Sequence, residues 1–191
     1  FVIESLLADN LQQQGRKPAL VAGHSLGELV ALYSAGVFGL ETGLQLMKTR
    51  SELMASAGGG AMTAVLGFDR AQLDDLVAAT DGVSIANDNS DAQGVLSGSP
   101  EGVESVSGAL KCKRAIPLAV SGAFHSPFMA EAAERFAAEL DNVPFLDARV
   151  PVLSNSAASA STSADELKQR LKQQMTTGVR WRETMAAMTE S

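Results

Sequence analysis

Apolar residues along this chain fall into two rhythms, and the places where one gives way to the other outline the fold. Val2, Ile3, Leu6, Leu7 and Leu11 share one helical face, and Gly15 is suited to end that helix. Ala19 to Ala22 is then an unbroken apolar run, as in strands of a parallel sheet covered on both faces. It stops at Gly23-His24-Ser25-Leu26-Gly27, after which Glu28 to about Ala35 returns to the helical step and Gly36 ends it. A third helical stripe runs from about Glu41 to Ala55: Leu46, Met47, Leu53 and Met54, with Arg50 at its centre. Helix, strand and helix in this order predict an α/β body.

Gly58-Gly59-Gly60 breaks the pattern. Ala61 to Gly67 reads as a strand, and Asp69 caps a helix bearing Leu73, Leu76 and Val77, with Gln72 completing a capping box. Val83 to Ala86 and Gly94 to Leu96 read as strands around an Asn-Asp-Asn-Ser-Asp loop. Ser99-Pro100 opens a helix with Val103, Val106 and Leu110, and Arg114 to Val120 reads as a strand. The order β-α-β-β-α-β is that of a ferredoxin-like unit. The expected division is an α/β-hydrolase-like parallel-sheet body from 1–58 and 123–191, discontinuous and incomplete, with a ferredoxin-like insertion at 59–122. Within the second body segment, Ser126-Pro127 open a helix with Met129, Ala132, Ala133, Phe136 and Leu140 on one face. Val150 to Leu153 is a short strand, followed by a Ser/Ala-rich loop. Ser163 to Glu166 is a capping box for a helix with Leu167, Leu171, Gln174 and Met175 inward. A glutamine at such a place is ordinarily a helix-edge residue meeting solvent. Both ends of the chain read as cuts in a longer polypeptide.

Composition narrows the class. An apolar content of 46% over 191 residues is ample for a core, while a net charge of −7 argues against a nucleic-acid surface. No apolar run approaches a membrane span, and no leader pattern is present, so a cytoplasmic protein without a membrane partner is expected. The single cysteine, Cys112, rules out an internal disulfide framework. With only His24 and His125 beside it, no metal site is expected.

Strand, sharp turn and helix around Gly-x-Ser-x-Gly form a nucleophile elbow, with Ser25 at its tip. Gly23 and Gly27 are expected where backbone meets backbone, and the Leu26 amide opens the helix where an oxyanion would form. His125, just outside a helix N-terminus, is favoured in the neutral form that a general base requires. Arg50, inside a core-facing stripe, must snorkel, pair with an acid or face a pocket. In a pocket it could hold a carboxylate bidentately.

Taken together, these residues resemble one family, the malonyl-CoA:acyl carrier protein transacylases and the acyltransferase domains of polyketide and fatty acid synthases. The resemblance rests on Gly23-His24-Ser25-Leu26-Gly27-Glu28, on Arg50 within Lys-Thr-Arg50-Ser-Glu-Leu-Met, and on Gly60-Ala61-Met62. Ala123-Phe124-His125-Ser126, Pro151 to Asn155, and Gln174-Met-Thr-Thr-Gly-Val-Arg-Trp181 continue it in the family's order. It implies that Ser25 accepts the malonyl group as an ester, with His125 as base and acid in a ping-pong transfer. Leu26 would supply an oxyanion amide, and Arg50 would pair with the free carboxylate. The backbone carbonyl of Gln174 would orient the histidine in place of a triad acid, and Asn89 and Asn155 match polar positions around the pocket, as lining or structural residues only. Malonyl-CoA and the phosphopantetheine arm of acyl carrier protein are the implied substrates, with no further cofactor, in a monomer or a domain of a larger synthase. Phe124-His125 resembles the malonyl-selective version of its motif.

Two departures qualify this. Gly178 stands where the family usually has proline. The family's N-terminal Gly-Gln-Gly loop and a C-terminal Gly-Pro-Gly segment are absent, which leaves half an oxyanion hole and predicts an inactive or poorly folded segment in isolation. Two rival readings remain at this stage. A serine esterase-type hydrolase would need Asp88 or Asp91 as triad acid. A non-catalytic fragment or carrier-docking module would use a basic cluster, Lys111, Lys113 and Arg114 or Lys168, Arg170 and Lys172.

Overall fold

Two separate sheets organise the chain, each with its own apolar core; the structure, a computed structural model, describes residues 1–189. The last two residues of the expected 123–191 segment lie outside the described residues.

The first sheet has three strands, β1 (Val21–Ala22), β6 (Val152–Ser154) and β7 (Ala157–Ser161), in the order β1-β6-β7. β1 runs parallel to β6, but β7 is antiparallel, so this sheet is mixed rather than parallel as expected. The difference lies in the Ser/Ala-rich stretch read as loop, where small side chains give no alternating signal. Packed around this sheet are α1 (Val2–Gln13), α2 (Gly27–Ser34), α3 (Leu40–Ser56), α6 (Ala130–Asp141), α7 (Ala164–Gln173) and α8 (Trp181–Thr189). Leu29, Leu32, Leu46, Phe136, Leu140, Leu167 and Leu171 form the centre of its core. The apolar face of α1 points outward, with Ile3 75% exposed, and the helix meets the rest of the chain through buried Ser5 and an Asp9–Tyr33 hydrogen bond.

The second sheet holds β2 (Ala61–Leu66), β3 (Val83–Ser90), β4 (Gln93–Gly98) and β5 (Arg114–Pro117), all antiparallel, in the order β3-β4-β2-β5. Helices α4 (Arg70–Ala78) and α5 (Pro100–Ala109) cover one face, over Val65, Leu73, Leu96 and Val106. Asp69 accepts the Gln72 amide as expected, but the Gln72 side chain leaves the capping box and accepts from the Lys111 amide. The polar Asn87–Ser90 stretch, expected as loop, is the end of β3, with bulges at Ile85/Asn87 and Asp88/Ser90. Bulges of this kind re-aim side chains, here Asn89 towards the first sheet.

The seam between the sheets explains the departure at Gly178. Val179 exchanges backbone hydrogen bonds with Ala86 and Asp88, and Arg182 on α8 pairs with Asp88. A Cβ on Gly178 would lie 2.3 Å from the Ile85 carbonyl oxygen. The glycine therefore permits a close approach of the two sheets.

Candidate active site

Ser25 sits between β1 and α2, with φ +52°, and His125 sits before a single 3-10 turn (Pro127–Met129), with φ +55°. They are the only non-glycine residues at positive φ among the described residues. A left-handed backbone at a residue with a Cβ costs on the order of 1–2 kcal/mol, so the surrounding contacts must hold both. At Ser25 the holding group is Asn155. Its Oδ1 accepts the Ser25 amide at 2.5 Å and its Nδ2 donates to the Gly23 carbonyl at 2.6 Å. The close approach expected at the elbow is real at Gly23, where a Cβ would fall 1.9 Å from the Gly27 carbonyl, but Gly27 itself faces open space. Ser126, as N-cap, accepts the Phe128 amide and donates to the Ala123 carbonyl, which fixes the turn that presents His125.

The Ser25 Oγ lies 2.8 Å from His125 Nε2, and His125 Nδ1 lies 2.9 Å from the Gln174 carbonyl oxygen. A carbonyl can only accept, so Nδ1 carries the proton and Nε2 is free to take one from the serine. Burial, and then the nearby Arg50 charge, push the His125 pKa down to about 4, which keeps the ring neutral at pH 7. Neither aspartate weighed as a triad acid is near this ring. Asp88 is held by Arg70 and Arg182, and Asp91 is 95% exposed. The Leu26 amide has no protein acceptor among the described residues, leaving it free at the start of α2.

Arg50 of α3 is buried at 3% exposure, so it does not snorkel, and among the described residues it has no acid within ion-pair distance. Its Nε donates to Gln174 Oε1 at 2.9 Å and its Nη2 to Ser25 Oγ at 3.1 Å. Burial lowers its pKa to about 10, and the Glu28 charge opposes that shift, so it stays cationic at neutral pH. Gln174, on the inward face of its helix but of a residue type that ordinarily meets solvent, is 1% exposed and joins four groups: Arg50, His125, the Ser25 carbonyl and Glu28. Asn89 does not reach Ser25; it bonds His24 at 2.8 Å, and His24 packs edge-on to Trp181. Sequence reasoning missed Glu28, quoted only as part of the elbow motif. Its one legible signal was a carboxylate within an otherwise apolar helix.

The arrangement is a serine activated by a neutral histidine, with a cation at hydrogen-bond distance and a free helix-start amide, and it is suited to acyl transfer. Residues 1–191 match the acyl transferase domain family throughout. The chain belongs to that family. This acyl transferase domain is 54% identical over 190 residues to the malonyl CoA-acyl carrier protein transacylase of Synechocystis sp., covering 100% of the chain and 65% of that protein. The crystal structure of a Synechocystis malonyl-CoA:ACP transacylase superposes with a TM-score of 0.96 at 54% identity, over 99% of this chain and 64% of that one. A malonyl-transacylase solved in complex with its type II PKS acyl-carrier protein is similar at 35% identity and a TM-score of 0.91. That match covers 98% of this chain and 64% of that one. The acyl transferase domain thus spans about 65% of the length of the Synechocystis relative.

Of the two basic clusters, Lys168, Arg170 and Lys172 are engaged internally, by the Val143 carbonyl, Glu166 and Asp141. Lys111, Lys113 and Arg114 are exposed and form no ion pair among the described residues. No helix among the described residues is long and apolar enough to cross a membrane, and no cluster there could hold a metal ion.

Proposed function

We propose that this chain carries the acyl-transfer chemistry of a malonyl-CoA:acyl carrier protein transacylase acting in the cytoplasm. Ser25 is the nucleophile, His125 the general base and acid, and the Leu26 amide an oxyanion donor. Arg50 is the anchor for the malonyl carboxylate, and Gln174 orients the histidine. The architecture that goes with this reading is an α/β-hydrolase-like body, 1–58 and 123–191, interrupted by a ferredoxin-like unit at 59–122. The β3-β4-β2-β5 order and the apolar core of its own beneath α4 and α5 support that division.

In the first half-reaction Ser25 Oγ attacks the thioester carbonyl of malonyl-CoA and its proton passes to His125 Nε2. Negative charge collects on the carbonyl oxygen, within reach of the Leu26 N–H. When the C–S bond breaks, His125 returns the proton to the coenzyme A sulfur, leaving a malonyl ester on Ser25. The phosphopantetheine thiol of the carrier protein then gives its proton to His125 and attacks the ester. Oγ leaves and recovers that proton, and the malonyl group departs on the new thioester. No cofactor takes part.

The observation that carries this reading is a single oxygen shared by two side chains: Ser25 Oγ is 2.8 Å from the histidine base and 3.1 Å from a buried guanidinium. Among the described residues only two of the five Arg50 N–H groups have a partner, so the rest can pair with a carboxylate on the acyl group. A hydrolase of neutral esters has no use for this cation. Mass spectrometry of the full-length protein after malonyl-CoA, acetyl-CoA and methylmalonyl-CoA tests the reading. A malonyl adduct on Ser25 is expected, with the other two acyl groups weaker. Rapid release of free acid from neutral esters, with no malonyl adduct, would replace the transferase by a hydrolase.

A further inference from the structure

Among the described residues Glu28 is the one buried carboxylate, at 1% exposure, and it touches neither Ser25 Oγ nor His125. It sits in the first turn of α2, three residues after the nucleophile. Its Oε2 accepts from Gln174 Nε2 at 2.7 Å and from the Asn155 amide at 3.2 Å. The same Gln174 NH2 also donates to the Ser25 carbonyl at 3.0 Å. With both donors directed this way, the carboxamide oxygen is left facing Arg50 Nε at 2.9 Å. Turned over, the amide would set NH2 against the Arg50 N–H and oxygen against the Glu28 carboxylate, a donor–donor and an acceptor–acceptor clash. Burying such mismatched groups is costly, so an acceptor at position 28 selects one orientation.

We propose that Glu28 is a positioning residue: it fixes the Gln174 carboxamide so that Arg50 is aligned for the carboxylate of the acyl group, and thereby supports malonyl selectivity. This rests on the malonyl reading above. The helix that presents the nucleophile also sets the place of the cation, through one carboxylate and one amide. Glu28 is separated from the acyl group by Gln174 and Arg50, so its effect is confined to alignment and does not extend to the bond-making step.

The test uses the full-length protein. Glu28→Leu removes the acceptor. Glu28→Gln keeps an oxygen at the Oε2 position, where Gln174 Nε2 and the Asn155 amide donate. Glu28→Leu is expected to raise the KM for malonyl-CoA roughly tenfold, with acetyl-CoA loading much less affected. Glu28→Gln should recover most of that loss. In an Arg50→Ala background Glu28→Leu should cost malonyl loading almost nothing more. Equal loss of malonyl and acetyl loading, or an undiminished tenfold cost without Arg50, would show a purely structural residue and overturn the proposal. Should Glu28→Leu not fold, Gln174→Met, which keeps the backbone carbonyl for His125, carries the test. An unchanged malonyl KM in that variant also overturns the proposal. If the wild type takes no malonyl group, the functional reading fails. A crystal structure of Glu28→Leu then decides alone, support requiring that Arg50 Nε has left Gln174 Oε1.

Discussion

Removing the Arg50 charge should do two opposite things, and separating them tests the electrostatics of the site. Arg50 Nη2 is 3.1 Å from Ser25 Oγ, which is 2.8 Å from His125 Nε2, so cation and imidazole are at most about 6 Å apart. At that distance, with an effective dielectric constant near 20, two unit charges repel by about 3 kcal/mol, or roughly two pKa units. Water entering the space of a lost guanidinium would reduce this, so Arg50→Met should raise the His125 pKa from about 4 by roughly one unit. The assay is the pH dependence of Ser25 acylation by acetyl-CoA, which carries no carboxylate for Arg50 to hold, followed by quenching and mass spectrometry. The acid limb of the profile should move to higher pH, while kcat/KM for malonyl-CoA falls on the order of a hundredfold. An acid limb that stays in place, or moves down, would mean that Arg50 does not set the histidine's protonation.

Three further outcomes follow from particular contacts. His125 titrates near 4 in the folded protein against 6.5 for the free side chain, so the unfolded chain binds the extra proton first as pH falls. Its contribution, about 3 kcal/mol, is complete above pH 6.5 and lost by pH 4; in His125→Phe, denaturant melts between those pH values should lack that part of the slope. Asn155→Ala leaves the Ser25 amide and Gly23 carbonyl without their partner and should cost about 2–3 kcal/mol by chemical denaturation, with Ser25 loading reduced even where the protein remains folded. Gly178→Ala puts a Cβ 2.3 Å from the Ile85 carbonyl and should cost about 1–3 kcal/mol in thermal or denaturant melts; a neutral effect would show that the seam between the sheets is loose.

The local elements were legible where the signal is local. The Ser25 elbow, the Asp69, Ser99 and Ser163 caps and the helical stripe around Arg50 all depend on residues within a few positions of one another. β7 and the far end of β3 were not legible, because Ala, Ser and Asn carry no apolar alternation and their strands exist through pairing. The outward face of α1 shows the same limit from the other side. Periodicity gives the face of a helix but not what, if anything, covers it.

The sequence by itself determined the chemistry on offer: a serine in a strand–turn–helix, a histidine before a capped helix and an arginine among leucines. Its motifs also carried the family resemblance. Only the tertiary structure decided that Ser25 and His125, 100 residues apart, share one hydrogen bond, and that both stand on strained left-handed backbone. It also showed that the Gln174 side chain, and not only its backbone carbonyl, belongs to the site, and revealed Glu28 behind it. The reason is physical. Periodicity and capping are set by neighbours along the chain, whereas the partner of a buried polar group is set by whatever the fold brings within about 3 Å of it, and burial then makes that partner obligatory.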